Sequence, residues 1–287
     1  MRIVIAVGGN AIAEGGPLNK LSALVVVLSR RGNEIVITHG NGPQVGELAL
    51  LEHKTLAQLT KETQAELGEK ISRSLIAQGG ARDRVKVVLT HVVVDKKDRE
   101  FSDPSKPIGK FFKHDEAKSL SRKGFVVKHL LEGYRRVVPS PKPKKIIELG
   151  EIESALKGGS IVIAAGGGGI AVAKAKGKPE YLNAVIDKDR ASSLLAVRLK
   201  ADVLCILTDV DGAFLNFETK HQRLLRKITA EHLQILARSG CFEAGSMLPK
   251  VQACIDFVNA TGNRAIIGNL SKASSVFKSK GATVVVP

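Results

Sequence analysis

The sequence predicts an α/β protein with an open, mostly parallel central sheet and helices on both faces. Three observations carry this. Apolar runs of strand length alternate with stretches of helical periodicity along the chain. Several of those runs end in glycine-rich or carboxylate-bearing loops, which a parallel sheet gathers along one edge. At 287 residues, 44% hydrophobic and 25% charged, the chain can bury a sizeable core and has the balance of a soluble globular enzyme.

Residues 2–7 are a hydrophobic strand that runs into Gly8-Gly9-Asn10-Ala11. Residues 18–31 follow a helical pattern, and 34–38 form a second strand. It closes on His39-Gly40-Asn41-Gly42-Pro43-Gln44-Val45-Gly46, a second glycine-rich loop. Residues 54–78 read as one or two amphipathic helices and 85–94 as a strand or strand pair. From 98 to 145 the texture changes to charge, short apolar clusters and half of the chain's ten prolines, which predicts an inserted lid rather than more sheet.

The stretch 161–189 organises the rest. Its apolar start, 161–165, reads as a buried parallel strand. Gly166 to Gly169 follow, able to bring bare backbone N–H groups close to an anion. Asp187-Lys188-Asp189 then opens a helical pattern over 190–199. A lysine there can neutralise a phosphoryl group in flight, and a neighbouring aspartate can fix the lysine or organise a metal. Residues 202–207 are a strand ending in Thr208-Asp209-Val210-Asp211-Gly212, and 230–239 a helix. Gly245-Ser246-Met247-Leu248-Pro249-Lys250 leads into a helix reaching residue 260, and strands follow at 265–267 and 282–286.

Several function classes recede. Neither GxGxxG with an acidic residue at dinucleotide spacing nor GxxxxGK[ST] is present. The net charge of +16 suits phosphorylated small substrates and equally a lysine-rich proteome. Nucleic acid is not the expected partner, because the basic residues are dispersed and aromatic residues make up only 4%, with no Trp to stack on bases. No apolar run approaches the ~20 residues of a membrane span and the N-terminus has no signal-peptide pattern, so the expectation is a cytoplasmic protein. Cys205, Cys241 and Cys254 show no metal or disulfide spacing.

Taken together, GGNA (8–11), HGNGPQVG (39–46), VVVD (92–95), KPIG (106–109), GYRRVVPSPKP (133–143), GGGGI (166–170), AVIDKD (184–189), LTDVDG (207–212) and GSMLPK (245–250) resemble the carbamate kinases of the amino-acid kinase superfamily, in that family's order and over nearly the whole chain. The resemblance implies a three-layer αβα fold, a homodimer, and phosphoryl transfer between ATP and carbamate with Mg²⁺ held mainly by the nucleotide phosphates. It implies an acid-substrate half over 1–196, with the lid at 98–145 inserted in it, and a nucleotide half over 197–287.

On that reading Lys188 and Lys250 neutralise the moving phosphoryl group, Asp189 orients them and Lys106 reaches in from the lid. Gly8, Gly9, Asn10, Gly40, Asn41, Gly42, Gly166, Gly167 and Gly168 face phosphate and acid oxygens. Thr208, Asp209, Asp211, Gly212, Ser246 and Met247 lie at the nucleotide. Tyr134-Arg135-Arg136 reads either as lid packing or as a phosphate clamp. Two departures fall on the acid side: only residues 12–17 stand between GGNA and the first helix, and 50–78 is shortened and more charged. A third, Met247-Leu248-Pro249, precedes Lys250. The alternatives are a kinase of the same fold acting on another small acid or phosphate, and a non-catalytic nucleotide-binding regulator. Retention of Lys188, Asp189, Lys250 and both Gly-Asn loops speaks against the regulator.

Overall fold

Residues 2–7 send alternate side chains to opposite faces of a sheet buried on both. In β1 (Arg2–Val7) Ile3, Ile5 and Val7 enter one apolar cluster, and Val4 and Ala6 the other, as the two-residue period of a strand requires. The structure, a computed structural model, describes residues 1–9, 12, 16–130, 132–174, 178–243, 245–279 and 281–287.

After β1 come α1 (Gly16–Arg30), β2 (Glu34–His39), α2 (Gly42–Leu51) and α3 (Leu56–Ala77), then the short strands β3 (Val85–Val87) and β4 (His91–Val93). The segment expected to be a lid supplies β5 (Lys106–Phe112), α4 (His114–Arg122), β6 (Val127–Leu130) and β7 (Gly133–Val138). The chain returns through β8 (Lys145–Ile146), α5 (Leu149–Lys157), β9 (Ile161–Ile163), β10 (Ile170–Ala173) and β11 (Glu180–Tyr181) to α6 (Lys188–Arg198). Next are β12 (Val203–Thr208), β13 (Phe214–Leu215), β14 (Arg223–Leu224), β15 (Lys227–Thr229) and α7 (Ala230–Arg238). The chain finishes with α8 (Met247–Thr261), β16 (Arg264–Asn269), α9 (Ala273–Val276) and β17 (Thr283–Val286).

The main sheet has the order β15-β17-β16-β12-β1-β2-β9-β3. From β3 to β16 every pairing is parallel, and β17 lies antiparallel to β16. The chain leaves β1 towards β2 on one side and later fills the other side from β12, so the order reverses at β1. Loops splay apart at such a reversal and leave room for a ligand beyond the strands' carboxyl ends. Helices α1, α3 and α9 bury Leu21, Val25, Ile71, Leu75 and Val276 against one face. Helices α5 to α8 bury Ile152, Leu195, Leu233 and Phe257 against the other. Three helix-to-strand returns, after α1, α5 and α8, turn on Gly32, Gly159 and Gly262, at φ of 79°, 77° and 70°, where a side chain would be strained.

The expected parallel sheet and its flanking helices are there, and the differences are local. Residues 39–46 are not all loop: α2 starts at Gly42, with Pro43 in its first turn, where a missing N–H costs nothing. Helix α6 starts at Lys188, two residues before the expected 190, because Asp187 caps it by accepting from the N–H groups of Asp189 and Arg190. The pair expected at 85–94 divides between sheets: β3 joins the main one, while β4 joins β11-β10-β4-β8. The strand expected over 161–165 stops at Ile163, and Ala165 turns left-handed at φ 50°.

The proline-rich segment is an ordered body, a three-stranded antiparallel sheet β5-β7-β6 with α4 packed on it. Its base is continuous with the protein: Ile108 and Val138 share a small apolar cluster with Val45, Ala49, Leu56, Leu59 and Val185. No helix among the described residues is long and apolar enough to cross a membrane.

Candidate active site

Loops at the carboxyl ends of β1, β2, β9, β12 and β16 surround a cleft of about 570 Å³, roofed on one side by the lid strands β5 and β7. Its floor is a charge cluster. Asp189, 2% exposed, receives Lys188 Nζ on Oδ1 at 2.5 Å and Lys250 Nζ on Oδ2 at 3.3 Å. Lys188 comes from the start of α6 and Lys250 from the first turn of α8, and these helices pack together. Lys250 also donates to Ser246 O at 3.0 Å.

The two ammonium groups are unequal. Burial pulls the Lys188 pKa down, and the Lys250 charge adds to the effect against the attraction of Asp189. Burial opposes the Lys250 charge too, but Asp189, Asp187 and Asp209 together hold its pKa above the ordinary value. The stem of Lys188 lies across Gly40, whose backbone meets Gly9, so the ammonium sits beside the first two glycine loops.

Lys106, from lid strand β5, donates to Asp187 Oδ2 at 2.7 Å. Asp187 therefore holds the lid lysine with one oxygen and caps α6 with the other. Burial alone would raise its pKa. The charge and hydrogen bond of Lys106, with Lys188 and the capping N–H groups, keep it well below the usual carboxylate range.

The structure places the remaining sequence candidates unevenly. Gly8, Gly9, Gly40, Asn41, Gly42, Gly167, Thr208, Asp209 and Ser246 line the cleft. The Asn41 side chain donates to Thr63 Oγ1 at 2.9 Å, which fixes its loop onto α3. Gly166 backs onto His39 and Gly168 onto the Ile186 carbonyl, so of these three only Gly167 borders the cleft. Asp211 is drawn away from it, both its oxygens accepting from Lys272 at 2.9 Å. Gly212 packs on Thr283, and Met247 against the core. Asn10 lies outside the described residues.

Among the polar residues that line the cleft, Asn269 and Ser271 are not sequence candidates, Asp187 is read only as part of the charge cluster, and Arg135 is left between lid packing and a phosphate clamp. Asp187 was visible inside the charge cluster, and its place as an N-cap was the missed signal. Asn269 and Ser271 follow β16, and the carboxyl end of a parallel strand was the cue. His39 is buried at the end of β2; its Nδ1 lies 3.2 Å from Gly40 O, and its Nε2 has no partner among the described residues. Burial lowers its pKa to about 4, so it is a neutral structural group at physiological pH.

Residues 1–269 match the Amino acid kinase family, and the chain belongs to it, which makes it a phosphotransferase of the kinase class that uses ATP. Within that family, relatives 36–40% identical over the full length are carbamate kinases. The enzyme of Pyrococcus furiosus is 40% identical over 313 residues, covering 100% of this chain and 99% of that protein. The one from Thermoplasma volcanium is 39% identical over 304 residues, covering 100% of both. Among solved structures, carbamate kinase from Giardia lamblia bound to citric acid superposes with a TM-score of 0.90 at 34% identity, covering 99% of this chain and 98% of that one. The same protein bound to AMP-PNP gives 0.84. The 313-position match exceeds the 287 residues of this chain, so the relative carries segments missing here.

Proposed function

We propose that the protein is a carbamate kinase, catalysing ATP + carbamate ⇌ ADP + carbamoyl phosphate. The observation that carries the reading is the convergence of Lys188 and Lys250 on opposite oxygens of one buried aspartate at the floor of the cleft.

A carbamate oxygen forms a bond to the γ-phosphorus as the bond to the β-phosphate oxygen breaks, and ADP leaves with that electron pair. Carbamate is already an anion, so no base is required. The work left to the protein is positioning and charge neutralisation. Lys188 and Lys250, preorganised by Asp189, offset the charge spread over the transferring group. Lys106 adds a third cation from the lid. Backbone N–H groups of the Gly8-Gly9 and Gly40–Gly42 loops receive acid and phosphoryl oxygens beside the N-terminus of α2. Thr208, Asp209 and Ser246 serve the nucleotide in the half spanning 197–287, while 1–196 holds the acid.

Among the described residues, no three His, Cys, Asp or Glu side chains gather to hold a metal. Of the cleft carboxylates, Asp187 and Asp189 are engaged by lysines, while the Asp209 carboxylate accepts from no side chain but Thr208 among the described residues. Mg²⁺ would enter on the nucleotide phosphates and Asp209 is the carboxylate that would help hold it, since this ion favours phosphates, water and one or two carboxylates over an all-protein cage. The chemistry the ion would supply there is neutralisation of phosphate charge. As in the family resemblance, the working unit is a homodimer.

ADP-dependent ATP synthesis from carbamoyl phosphate, run beside a panel of carboxylic acids with ATP, tests the reading. Robust ATP formation is expected. Turnover confined to another acid would overturn it.

A further inference from the structure

We propose that Arg135 binds the acid substrate, its guanidinium taking a carboxylate or phosphoryl oxygen from the lid side of the cleft, opposite the lysine pair. The inference rests on the phosphotransferase reading and adds to it a substrate contact.

Arg135 stands apart in how the cleft's charges are matched. Four cations line the cleft, Lys106, Lys188, Lys250 and Arg135, against three carboxylates. Each lysine has a carboxylate oxygen within 3.3 Å. Among the described residues no carboxylate lies within ion-pair distance of Arg135, which is partly buried; burial pushes its pKa down, and the charge of the exposed Glu132 offsets this only in part. A guanidinium taken partly out of water without a counter-ion is costly, and a substrate anion supplies what is missing.

The side chain is also held ready. Its Nε and Nη2 donate to Gly109 O at 3.0 and 2.7 Å, and its Cζ lies 5.0 Å from the centroid of the Phe111 ring. Nη1 has no partner among the described residues. Arginine suits this task because its planar fork, fixed on one edge, presents the other to an oxyanion. Arg136, next along β7, points to the other face of the strand. It donates to Ala49 O at 2.9 Å, lies 4.1 Å from the Phe125 ring and does not line the cleft. The two arginines thus divide the lid-packing and anion-clamp readings between them.

The lid position favours the acid over the nucleotide. Gly109, which anchors Arg135, is pressed against Gly46 of α2. The N-terminus of that helix, Gly42-Pro43, borders the same cleft. Thr208, Asp209 and Ser246 approach from the other half.

The test compares wild type with Arg135→Met, Arg135→Lys and, as a packing control, Arg136→Met. Binding of inorganic phosphate and of AMP-PNP is measured by calorimetry, and KM for carbamoyl phosphate and ADP by steady-state kinetics. Arg135→Met is expected to weaken phosphate binding and raise KM for carbamoyl phosphate tenfold or more, leaving AMP-PNP affinity and KM for ADP within twofold. Arg135→Lys should recover only part of the loss, and Arg136→Met should lower Tm without touching phosphate affinity. Wild-type phosphate affinity in a folded Arg135→Met, full recovery by lysine, or an equal loss for AMP-PNP would each overturn the proposal. Should Arg135→Met not fold, the lysine variant decides by the same measure. If carbamoyl phosphate is not a substrate at all, the carbamate reading fails, while the phosphate isotherms still judge Arg135.

Discussion

Gly46 of α2 and Gly109 of β5 touch backbone to backbone: a Cβ on Gly46 would stand 1.9 Å from the Gly109 nitrogen. The lid is seated on α2 here, and no side chain fits between them. Gly46→Ala is expected to destabilise by about 1–3 kcal/mol, the usual cost of overpacking, and to lower kcat/KM by displacing Lys106 and Arg135. Thermal unfolding and kinetics check this; unchanged Tm and rate would mean that the seat is loose.

Lys188→Ala and Lys250→Ala should each lower kcat by about a hundredfold or more, since a preorganised charge stabiliser is worth ~3–4 kcal/mol of barrier. Each leaves Asp189 buried with one cation instead of two, so Tm is measured alongside. A folded variant that keeps most of the wild-type rate removes that lysine from the mechanism.

Acid should destabilise the protein through His39. Its pKa is lowered by burial from 6.5 to about 4 in the fold, so between those values the unfolded chain binds more protons. The stabilisation is complete above pH ~6.5 and is lost as pH falls towards 4, on the order of 3 kcal/mol in all. Tm against pH should therefore slope less over that window in His39→Gln. Equal slopes for variant and wild type count against the assignment.

We expect the outer lid, α4 and β6, to close over the acid side while its base stays on α2. Lids of this kind exclude water from labile phosphoryl groups. Hydrogen exchange with saturating AMP-PNP and ammonium carbamate should raise protection in α4 and β6 and leave β5 near Gly109 unchanged. No change anywhere in 98–145 would remove the moving lid.

The short segment expected over 12–17, of which 13–15 lie outside the described residues and 16–17 already belong to α1, should leave the acid pocket less enclosed. Carbamate is so small that it depends on nearly every polar contact available, at a ceiling of ~1.5 kcal/mol per heavy atom. We expect a raised KM for carbamoyl phosphate or measurable turnover of larger acids with ATP. A low KM together with rejection of every larger acid would show the short segment to be neutral.

The glycine loops and charge clusters were legible because strand ends and helix starts leave local signals. The apolar runs gave the parallel sheet, and Asp187-Lys188-Asp189 announced the floor of the cleft. Partnerships across distance were not legible. Nothing in a sequence separates Asp209, which faces the cleft, from Asp211, which Lys272 holds. Arg135 and Arg136 are neighbours with opposite tasks, divided only by the alternation of β7 once the lid is known to be a sheet. Gly166 and Gly168 look like phosphate donors until His39 and Ile186 are found packed against them.

The helix-to-strand returns at Gly32, Gly159 and Gly262 lie at the sheet edge away from the cleft, since each leads into the amino end of a parallel strand. That edge is therefore a place for engineering. A short flexible insert after Gly159 or Gly262, carrying a fluorophore or an immobilisation tag, would sit a strand's length from Lys188 and Lys250. It would report on or anchor a working enzyme without entering its chemistry.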